Sequence, residues 1–242
     1  MLALFLGYKV VRLVANDNVD LATGHALTVR RLERVLGLPD ELRVQHWMLG
    51  IPHLPSMVNC YYAYVHFPAT IAFLAWMYVA RPRSYRTFRS VIIMMTAASL
   101  IVHLSYPLAP ARMLTGLGFV DVGKLYGPDV YGAPASSMAN QYAAMPSLHV
   151  GWAVLVATGM IMVLRTPWRW LFVAHPLITV FVVVSTGHHY WLDGIVAVVL
   201  LTLAFLVVLP GRAELPADLP TGSPDVSQPA GNGPADRGAT TP

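Results

Sequence analysis

Three clusters of polar residues stand at the ends of long apolar runs in this chain of 242 residues. They read Tyr106-Pro-Leu-Ala-Pro-Ala-Arg112, Met145-Pro-Ser-Leu-His149 and His188-His189-Tyr-Trp-Leu-Asp193. Ionisable residues at the edge of a membrane are costly to bury and therefore mark functional sites by default. Imidazole, carboxylate and guanidinium groups together can carry out acid–base or nucleophilic chemistry on a bound phosphate.

The spacing of the histidines predicts that they meet. The stretch from His149 to His189 is long enough for one helix across the membrane, a short arginine-flanked turn and one helix back. About 19 residues at 1.5 Å each cover roughly 28 Å, close to the hydrocarbon thickness. Asp193 follows His189 by one helical turn, where its carboxylate can accept from the imidazole, fix its tautomer and make the other nitrogen a better nucleophile or base. Arg112 is predicted to lie on the same side of the membrane as the two histidines, where it would complete a phosphate-binding set.

The composition indicates that membrane helices position these clusters. Hydrophobic residues make up 56% of the chain and charged residues only 12%, about half the share in a soluble domain. Five runs approach the length of a membrane-spanning helix, and they cover residues 57–80, 91–106, 148–164, 170–186 and 195–209. A weaker run at 2–14 would be the sixth. We therefore predict an all-α, polytopic membrane bundle of about six transmembrane helices over residues 1–210.

Three segments fall outside the runs. Residues 15–50 mix charged and apolar positions at helical spacing, with a turn at 37–39, which predicts either an amphipathic helix in the interface or a solvated connector. Residues 107–147 are rich in glycine and proline, but their aromatic residues favour an ordered cap on the membrane face. Residues 211–242 hold no aromatic residue and many prolines, which predicts a disordered polar tail.

The arginines predict the orientation. They concentrate at 81–89 and 165–169, which the positive-inside rule assigns to the cytoplasm. The three polar clusters then face the extracytoplasmic side of the cell membrane. The arginines lie at the ends of apolar runs and form no basic stripe with interleaved aromatic residues, which argues against nucleic-acid binding. Cys60 is the only cysteine, which excludes an intramolecular disulfide, a cysteine-rich zinc site and an iron–sulfur cluster.

The clusters resemble the signature of the type-2 phosphatidic acid phosphatase superfamily, K-x6-R-P, P-S-G-H and S-R-x5-H-x3-D. Pro146-Ser147-Leu148-His149 is similar to the second part, with Leu148 in place of glycine, and His189-x3-Asp193 is similar to the end of the third. Arg112 is all that remains of the first part. The resemblance is closest to the branch that contains inositol-phosphorylceramide synthases, sphingomyelin synthases and many bacterial relatives.

This resemblance implies a membrane enzyme that transfers or hydrolyses a phosphate-bearing lipid headgroup through a phosphohistidine intermediate. It implies that His189 attacks phosphorus, that Asp193 orients His189, and that His149 protonates the leaving oxygen and then activates water or a small polar alcohol. It also implies that Arg112 and Ser147 bind the substrate phosphate, although Ser147 equally suits a helix N-cap. The expected partner is a membrane lipid, and neither a metal nor another cofactor is implied.

The departures from the signature bear on the substrate. The signature would place a lysine at Ser105 and an arginine at Val183, so two phosphate-binding cations are missing unless His188 or Lys124 supplies one. A phosphomonoester carries a charge of about −1.5 to −2 near neutral pH, whereas a diester carries a single negative charge. The less cationic site favours a phosphotransferase or a diester substrate, and the family resemblance implies that this activity is inositol phosphotransferase-like.

Several alternatives stay open. One is a lipid phosphomonoesterase acting on phosphatidic acid or a polyprenyl phosphate. Another is a non-catalytic scaffold or transporter of the same fold. A third is a haem-binding membrane cytochrome that uses histidines near the span ends. We interpret the isolated His53, His66 and His103 as polar anchors at the interface.

Overall fold

The computed structural model describes residues 19–129 and 141–210. The candidate first span at 2–14 and the predicted tail at 211–242 lie outside the described residues. The described part is helical, with no β-strand and a single isolated bridge between Leu108 and Ala143. The predicted all-α class is therefore confirmed for these ranges.

Nine α-helices follow one another within the described ranges. They are α1 Val19–Val35, α2 Glu41–Leu49, α3 Leu54–Tyr64, α4 His66–Ala80, α5 Pro82–Ser105, α6 Val122–Tyr126, α7 Leu148–Val163, α8 Ala174–Ser185 and α9 Trp191–Val208. Short 3₁₀ turns occur at Ala111–Met113, Thr115–Leu117 and Pro167–Val173.

Four helical stretches are long and apolar enough to cross a membrane. They are Leu54–Ala80, which joins α3 and α4, together with Pro82–Ser105, Pro167–Ser185 and Trp191–Val208. Helix α7 is apolar but shorter, at 16 residues. All five clear sequence runs therefore coincide with apolar helices, but the predicted count of six spans is not confirmed. Helix α5 begins well before the apolar run, because Pro82 suits a first helical turn and arginine side chains can extend towards water.

The centre of the bundle is an apolar cluster between α5, α7 and α9. Val91 and Met95 of α5 pack with Leu155 of α7 and with Leu201 of α9. A Cβ atom at Gly151 of α7 would overlap the Met95 side chain, so the absence of a side chain there allows α5 and α7 to approach closely. This packing sets the positions of the helices whose ends carry the polar clusters.

Helix α1 lies in the 15–50 segment, for which the sequence predicts an amphipathic helix. Ala22, Ala26, Val29 and Glu33 follow one another at helical spacing on its buried face. Its opposite side exposes apolar residues as well as arginines. The turn between α1 and α2 contains Gly37 with a φ of 72°, in the left-handed region that favours glycine. Helix α1 therefore packs on the bundle and continues through a tight turn into α2.

The described part of the 107–147 segment forms an ordered cap. Phe119 is buried in a cluster with residues of α1, and the Leu108–Ala143 bridge joins the two ends of the cap. Backbone hydrogen bonds support that bridge, from Leu108 N to Tyr142 O at 2.8 Å and from Ala144 N to Leu108 O at 3.3 Å. The cap therefore holds the chain on both sides of the polar clusters in a defined position.

Candidate active site

The N-termini of α7 and α9 meet at one edge of the bundle. Ser147 caps α7 by accepting from Val150 N at 3.4 Å, and its own backbone N–H donates to Asp193 O at 3.0 Å. This bond ties the start of α7 to the first turn of α9. As a result the ring centroids of His149 and His189 lie 5.5 Å apart, at the same level as the sequence predicts.

The hydrogen bonds of His189 define its tautomer. Its Nδ1 lies 2.7 Å from the carbonyl oxygen of Ala144 and 3.2 Å from Oδ2 of Asp193. A carbonyl oxygen only accepts hydrogen bonds, so Nδ1 carries the proton and donates it. Nε2 is left with the lone pair, on a ring that lines a cavity. This is the arrangement that nucleophilic or basic chemistry at Nε2 requires.

Asp193 also organises the start of its own helix. Its Oδ2 accepts from Tyr190 N at 2.9 Å, which satisfies one of the free donors at the N-terminus of α9. The carboxylate is fully buried. His189 precedes the helix, so the predicted pairing within one helical turn is replaced by a contact at the helix N-terminus, where the capping bond to Tyr190 N holds Asp193 next to His189.

Arg112 reaches the same cavity from the cap. It is buried in the 3₁₀ turn Ala111–Met113, and its backbone N–H donates to Gly187 O at 2.8 Å. Gly187 has a φ of 72°, and a Cβ there would lie 3.0 Å from Arg112 N. Nη1 of Arg112 lies 3.0 Å from Oδ2 of Asp121, so a carboxylate already pairs with this guanidinium.

The cavity has a volume of about 230 Å³ and two kinds of wall. The polar wall consists of Arg112, Gln141 and four histidines, His103, His149, His188 and His189. Phe67 of α4, Leu100 of α5 and Leu148 of α7 supply the apolar wall. Such a site accommodates a phosphate group together with the start of an apolar chain. Leu148, the residue that replaces the signature glycine, is part of this apolar wall.

The other proposed phosphate ligands lie elsewhere. Ser147 is fully buried and caps α7, and it is not among the residues that line the cavity. Lys124 is 70% exposed, and its Nζ lies 4.0 Å from Asp121 Oδ2. Val183 lines a separate apolar groove between α7, α8 and α9. The side chain of an arginine at position 183 would therefore extend from that groove rather than from the wall of the cavity.

His188 is not the missing cation. Burial, followed by the positive charge of Arg112, holds the pKa of this imidazole well below its usual value. Its Nδ1 lies 2.7 Å from Thr186 Oγ1, and its ring stacks on Tyr62 at 4.1 Å between centroids. The neutral form therefore predominates near neutral pH, which makes His188 a polar wall residue.

The interpretation of His66 and His103 as interface anchors is wrong, because both side chains are buried. His103 donates through Nε2 to Pro146 O at 3.2 Å and so supports the turn before α7. The ring of His66 lies 4.9 Å from that of His149. Tyr62 stacks on His149 at 4.6 Å. His66 and Tyr62 therefore form part of the environment of His149.

Sequence reasoning missed two further residues, Gln45 and Asp121. Gln45 of α2 is fully buried, donates to Val120 O at 3.2 Å and to Ser185 O at 3.3 Å, and accepts from Val120 N at 2.9 Å. It thereby joins the cap to the end of α8. No local pattern marks either residue, because each acquires its role only through contacts with distant segments.

No group of three or more His, Cys, Asp or Glu side chains in the described ranges has an arrangement that could hold a metal ion. The expectation that the site uses neither a metal nor another cofactor stays a prediction.

The comparisons with known proteins gave one match. The model of the PAP2 superfamily matches residues 27–207, which include the second half of α1, all of α2 to α8, and α9 except its last residue. The comparison with curated proteins gave no match, and neither did the comparison with solved structures. The matched range contains every residue of the cavity.

Proposed function

The chain belongs to the PAP2 superfamily, and from this premise we propose that it is an integral membrane enzyme that moves the phosphate-bearing headgroup of a lipid phosphodiester to a small polar alcohol. Membership itself indicates phosphatase or phosphotransferase activity on lipid-like substrates. The observation that carries the proposal is the fixed tautomer of His189, which leaves Nε2 unprotonated beside a buried arginine.

In the first step, Nε2 of His189 attacks phosphorus. A phosphorus–nitrogen bond forms, and the bond from phosphorus to the lipid oxygen breaks. His149 donates a proton to that leaving oxygen. Asp193 stabilises the positive charge that develops on the His189 ring through the 3.2 Å contact at Nδ1. Arg112 stabilises the charge on the non-bridging phosphate oxygens.

In the second step, His149 takes a proton from an incoming alcohol or water. The oxygen of that acceptor attacks phosphorus, the phosphorus–nitrogen bond breaks, and His189 returns to its neutral form. The two ring centroids lie 5.5 Å apart, and both residues line the same cavity. The same two groups therefore serve both half-reactions in exchanged roles.

The charge balance of the cavity supports a diester. Arg112 is the only arginine or lysine that lines it among the described residues, and Asp121 already compensates part of that charge. His149 is positively charged only until it gives its proton to the leaving oxygen. The pKa of His188 is lowered, so it adds no positive charge. A diester brings one negative charge, which one guanidinium can balance. A phosphomonoester near −2 would keep an uncompensated charge in a largely buried cavity.

The substrate assay compares two labelled lipids. Purified protein in lipid nanodiscs would receive a headgroup-labelled phosphodiester lipid with inositol as acceptor, or labelled phosphatidic acid with water. We expect a higher kcat/KM for the diester, and no turnover after His189→Ala. His46→Ala, which removes an exposed histidine of α2, is the matched control and should retain activity.

Each contrary outcome has a specific meaning. A preference of wild type for the monoester by about tenfold, or 1.4 kcal/mol, would make the protein a lipid phosphatase and refute the charge argument. No turnover of either lipid would support the non-catalytic alternative. A strong haem absorbance band in the purified protein would support the cytochrome.

We also propose that the cavity opens to the extracytoplasmic face of the cell membrane. The arginines at 81–89 lie at the opposite end of α5 from the residues that lead to Arg112. Single cysteines at exposed positions would test this in a Cys60→Ala background: Leu117→Cys in the cap and Trp168→Cys before α8. An impermeant thiol reagent should label position 117 from outside and position 168 only from the cytoplasm. The reverse pattern would invert the topology.

A further inference from the structure

We infer that Glu33 of α1, a residue outside the cavity, is a positioning residue for the His189–Asp193 pair, an inference that rests on the proposed function. The carboxyl group of Glu33 is buried on the face of α1 that packs against the bundle. The other residues on that face are Ala22, Ala26 and Val29. A carboxyl group among them is costly to bury unless it has a specific partner.

The partner is the first turn of the helix that carries Asp193. Oε1 of Glu33 accepts from Leu192 N at 2.8 Å. Leu192 precedes Asp193 directly, and its N–H is one of the free donors at the N-terminus of α9. Asp193 satisfies Tyr190 N from within the helix, whereas Glu33 satisfies Leu192 N from another helix. Two carboxyl groups therefore hold this turn, one from within α9 and one from α1.

Further contacts attach the α1–α2 unit to the same region. The indole N–H of Trp191 donates to Pro39 O at 2.8 Å, and Ala109 N donates to Ala22 O at 3.2 Å. Nδ1 of His25 lies 2.8 Å from Pro107 O and supports the start of the cap. Among these contacts, the one made by Glu33 lies nearest in sequence to Asp193. A shift of Glu33 would therefore act on the first turn of α9 and on the contact between Asp193 and His189.

The surroundings of Glu33 favour its protonated form. Glu41 of α2 is also buried and close enough to act on it, and Oε2 of Glu33 and Oε1 of Glu41 are both buried without another hydrogen-bond partner among the described residues. Asp193 and Tyr190 at the start of α9 also interact electrostatically with this cluster. Nε of Arg30 in α1 lies 3.6 Å from Oε2 of Glu41. Burial, reinforced by Glu41, raises the pKa of Glu33 to about 9. The neutral Glu33 can donate to Glu41 while it accepts from Leu192.

This arrangement predicts a loss of activity in alkaline solution. Above a pH of about 9, Glu33 ionises next to Glu41. Arg30 is the cation of this cluster, and it already pairs with Asp40 at 3.2 Å and Glu41 at 3.6 Å. Two buried carboxylates would repel each other, and the separation of α1 from α2 would pull Glu33 away from Leu192. We therefore expect kcat to fall as the pH rises through about 9.

Three variants separate positioning from general support. Glu33→Gln keeps an acceptor for Leu192 and a donor for Glu41. Glu33→Met keeps the volume but removes the acceptor, and Val29→Ala removes packing from the same buried face. For Glu33→Met we expect kcat to fall about ten- to a hundredfold with little change in KM, as when the supporting partner of a functional group is lost. Glu33→Gln and Val29→Ala should stay within about twofold of wild type at neutral pH.

A second readout needs no lipid substrate. Diethyl pyrocarbonate modifies neutral imidazoles, and peptide mass spectrometry locates the label on His189. We expect slower labelling of His189 in Glu33→Met, and rates close to wild type in Glu33→Gln and Val29→Ala. The alkaline decline of kcat should disappear in Glu33→Gln.

The two readouts distinguish the possible failures. Absence of turnover in wild type would overturn the proposed function, while the labelling rates would still test Glu33. If Glu33→Met and Val29→Ala lower kcat and labelling in proportion to their loss of thermal stability, Glu33 has only a structural role. A persistent alkaline decline in Glu33→Gln would likewise overturn the inference.

Discussion

Asp193→Asn should reduce turnover far less than the equivalent change in a Ser-His-Asp triad. In that triad, removal of the carboxylate lets the imidazole adopt the wrong tautomer, and kcat falls by about 10⁴. Here the carbonyl of Ala144 lies 2.7 Å from Nδ1 of His189, closer than Asp193 Oδ2 at 3.2 Å. The carbonyl can hold the proton on Nδ1 by itself. The substitution would therefore remove the negative charge but keep the tautomer.

The expected magnitude follows from the interaction that is lost. A hydrogen bond to a charged group contributes about 1.5–3 kcal/mol, and the ionised Asp193 makes one with the positively charged ring that forms during the reaction. At 1.36 kcal/mol for each factor of ten, kcat should fall about 10- to 150-fold. The amide oxygen can still accept from Tyr190 N and from His189, as Oδ2 does now.

The same substitution should also lower stability. Oδ1 of Asp193 is buried and has no hydrogen-bond partner among the described residues. The amide nitrogen of an asparagine would occupy that position as an unsatisfied donor, at a cost of about 1–3 kcal/mol. Thermal unfolding in detergent should therefore begin at a lower temperature, and activity must be measured well below that temperature.

The assay is single-turnover transfer from a labelled lipid, with Asp193→Ala as the comparison. Alanine removes both the charge and the acceptor for Tyr190 N, so we expect a larger loss of kcat and of stability than for asparagine. A fall of about 10⁴ or more in folded Asp193→Asn would refute the role of the Ala144 carbonyl. Unchanged kcat would show that Asp193 does not act on His189.

Four further outcomes are expected. Gly187→Ala should destabilise the protein by about 1–2 kcal/mol in thermal unfolding, because alanine is strained at a φ of 72°. The same variant should lower kcat, because the new Cβ meets the backbone of Arg112. Asp121→Asn should raise the monoester-to-diester ratio of kcat/KM about tenfold by releasing positive charge on Arg112, and an unchanged ratio would contradict the charge argument. Ser147→Ala should cost about 1 kcal/mol of stability as a lost N-cap, with kcat/KM nearly unchanged; a large catalytic loss would restore its role as a phosphate ligand. Deletion of residues 213–242 should leave membrane insertion and activity intact, and a large loss of activity would reveal a partner-binding element.

Local and periodic features were enough to predict the helical class and the meeting of the histidines. Inside a membrane the backbone must satisfy its own hydrogen bonds, so apolar runs of nearly membrane-spanning length form helices. The rise of a helix then determines that His149 and His189 return to one level, and their rings lie 5.5 Å apart. Asp193 contacts His189 as its spacing predicts, but His189 precedes α9, so the contact forms at the N-terminus of the helix, where Asp193 also accepts from Tyr190 N.

Contacts between distant segments required the tertiary structure. The carbonyl of Ala144 at His189, the pairing of Asp121 with Arg112 and the bond from Glu33 to Leu192 all join segments whose approach no local period encodes. Burial also changes the protonation state of a titratable residue. His188 was a candidate cation by sequence, but a buried position beside Arg112 favours its neutral form. The sequence by itself therefore determined that His149, His189 and Asp193 meet. The protonation, charge balance and support of these groups depend on the surfaces that enclose them, because desolvation and long-range hydrogen-bond partners arise only from packing.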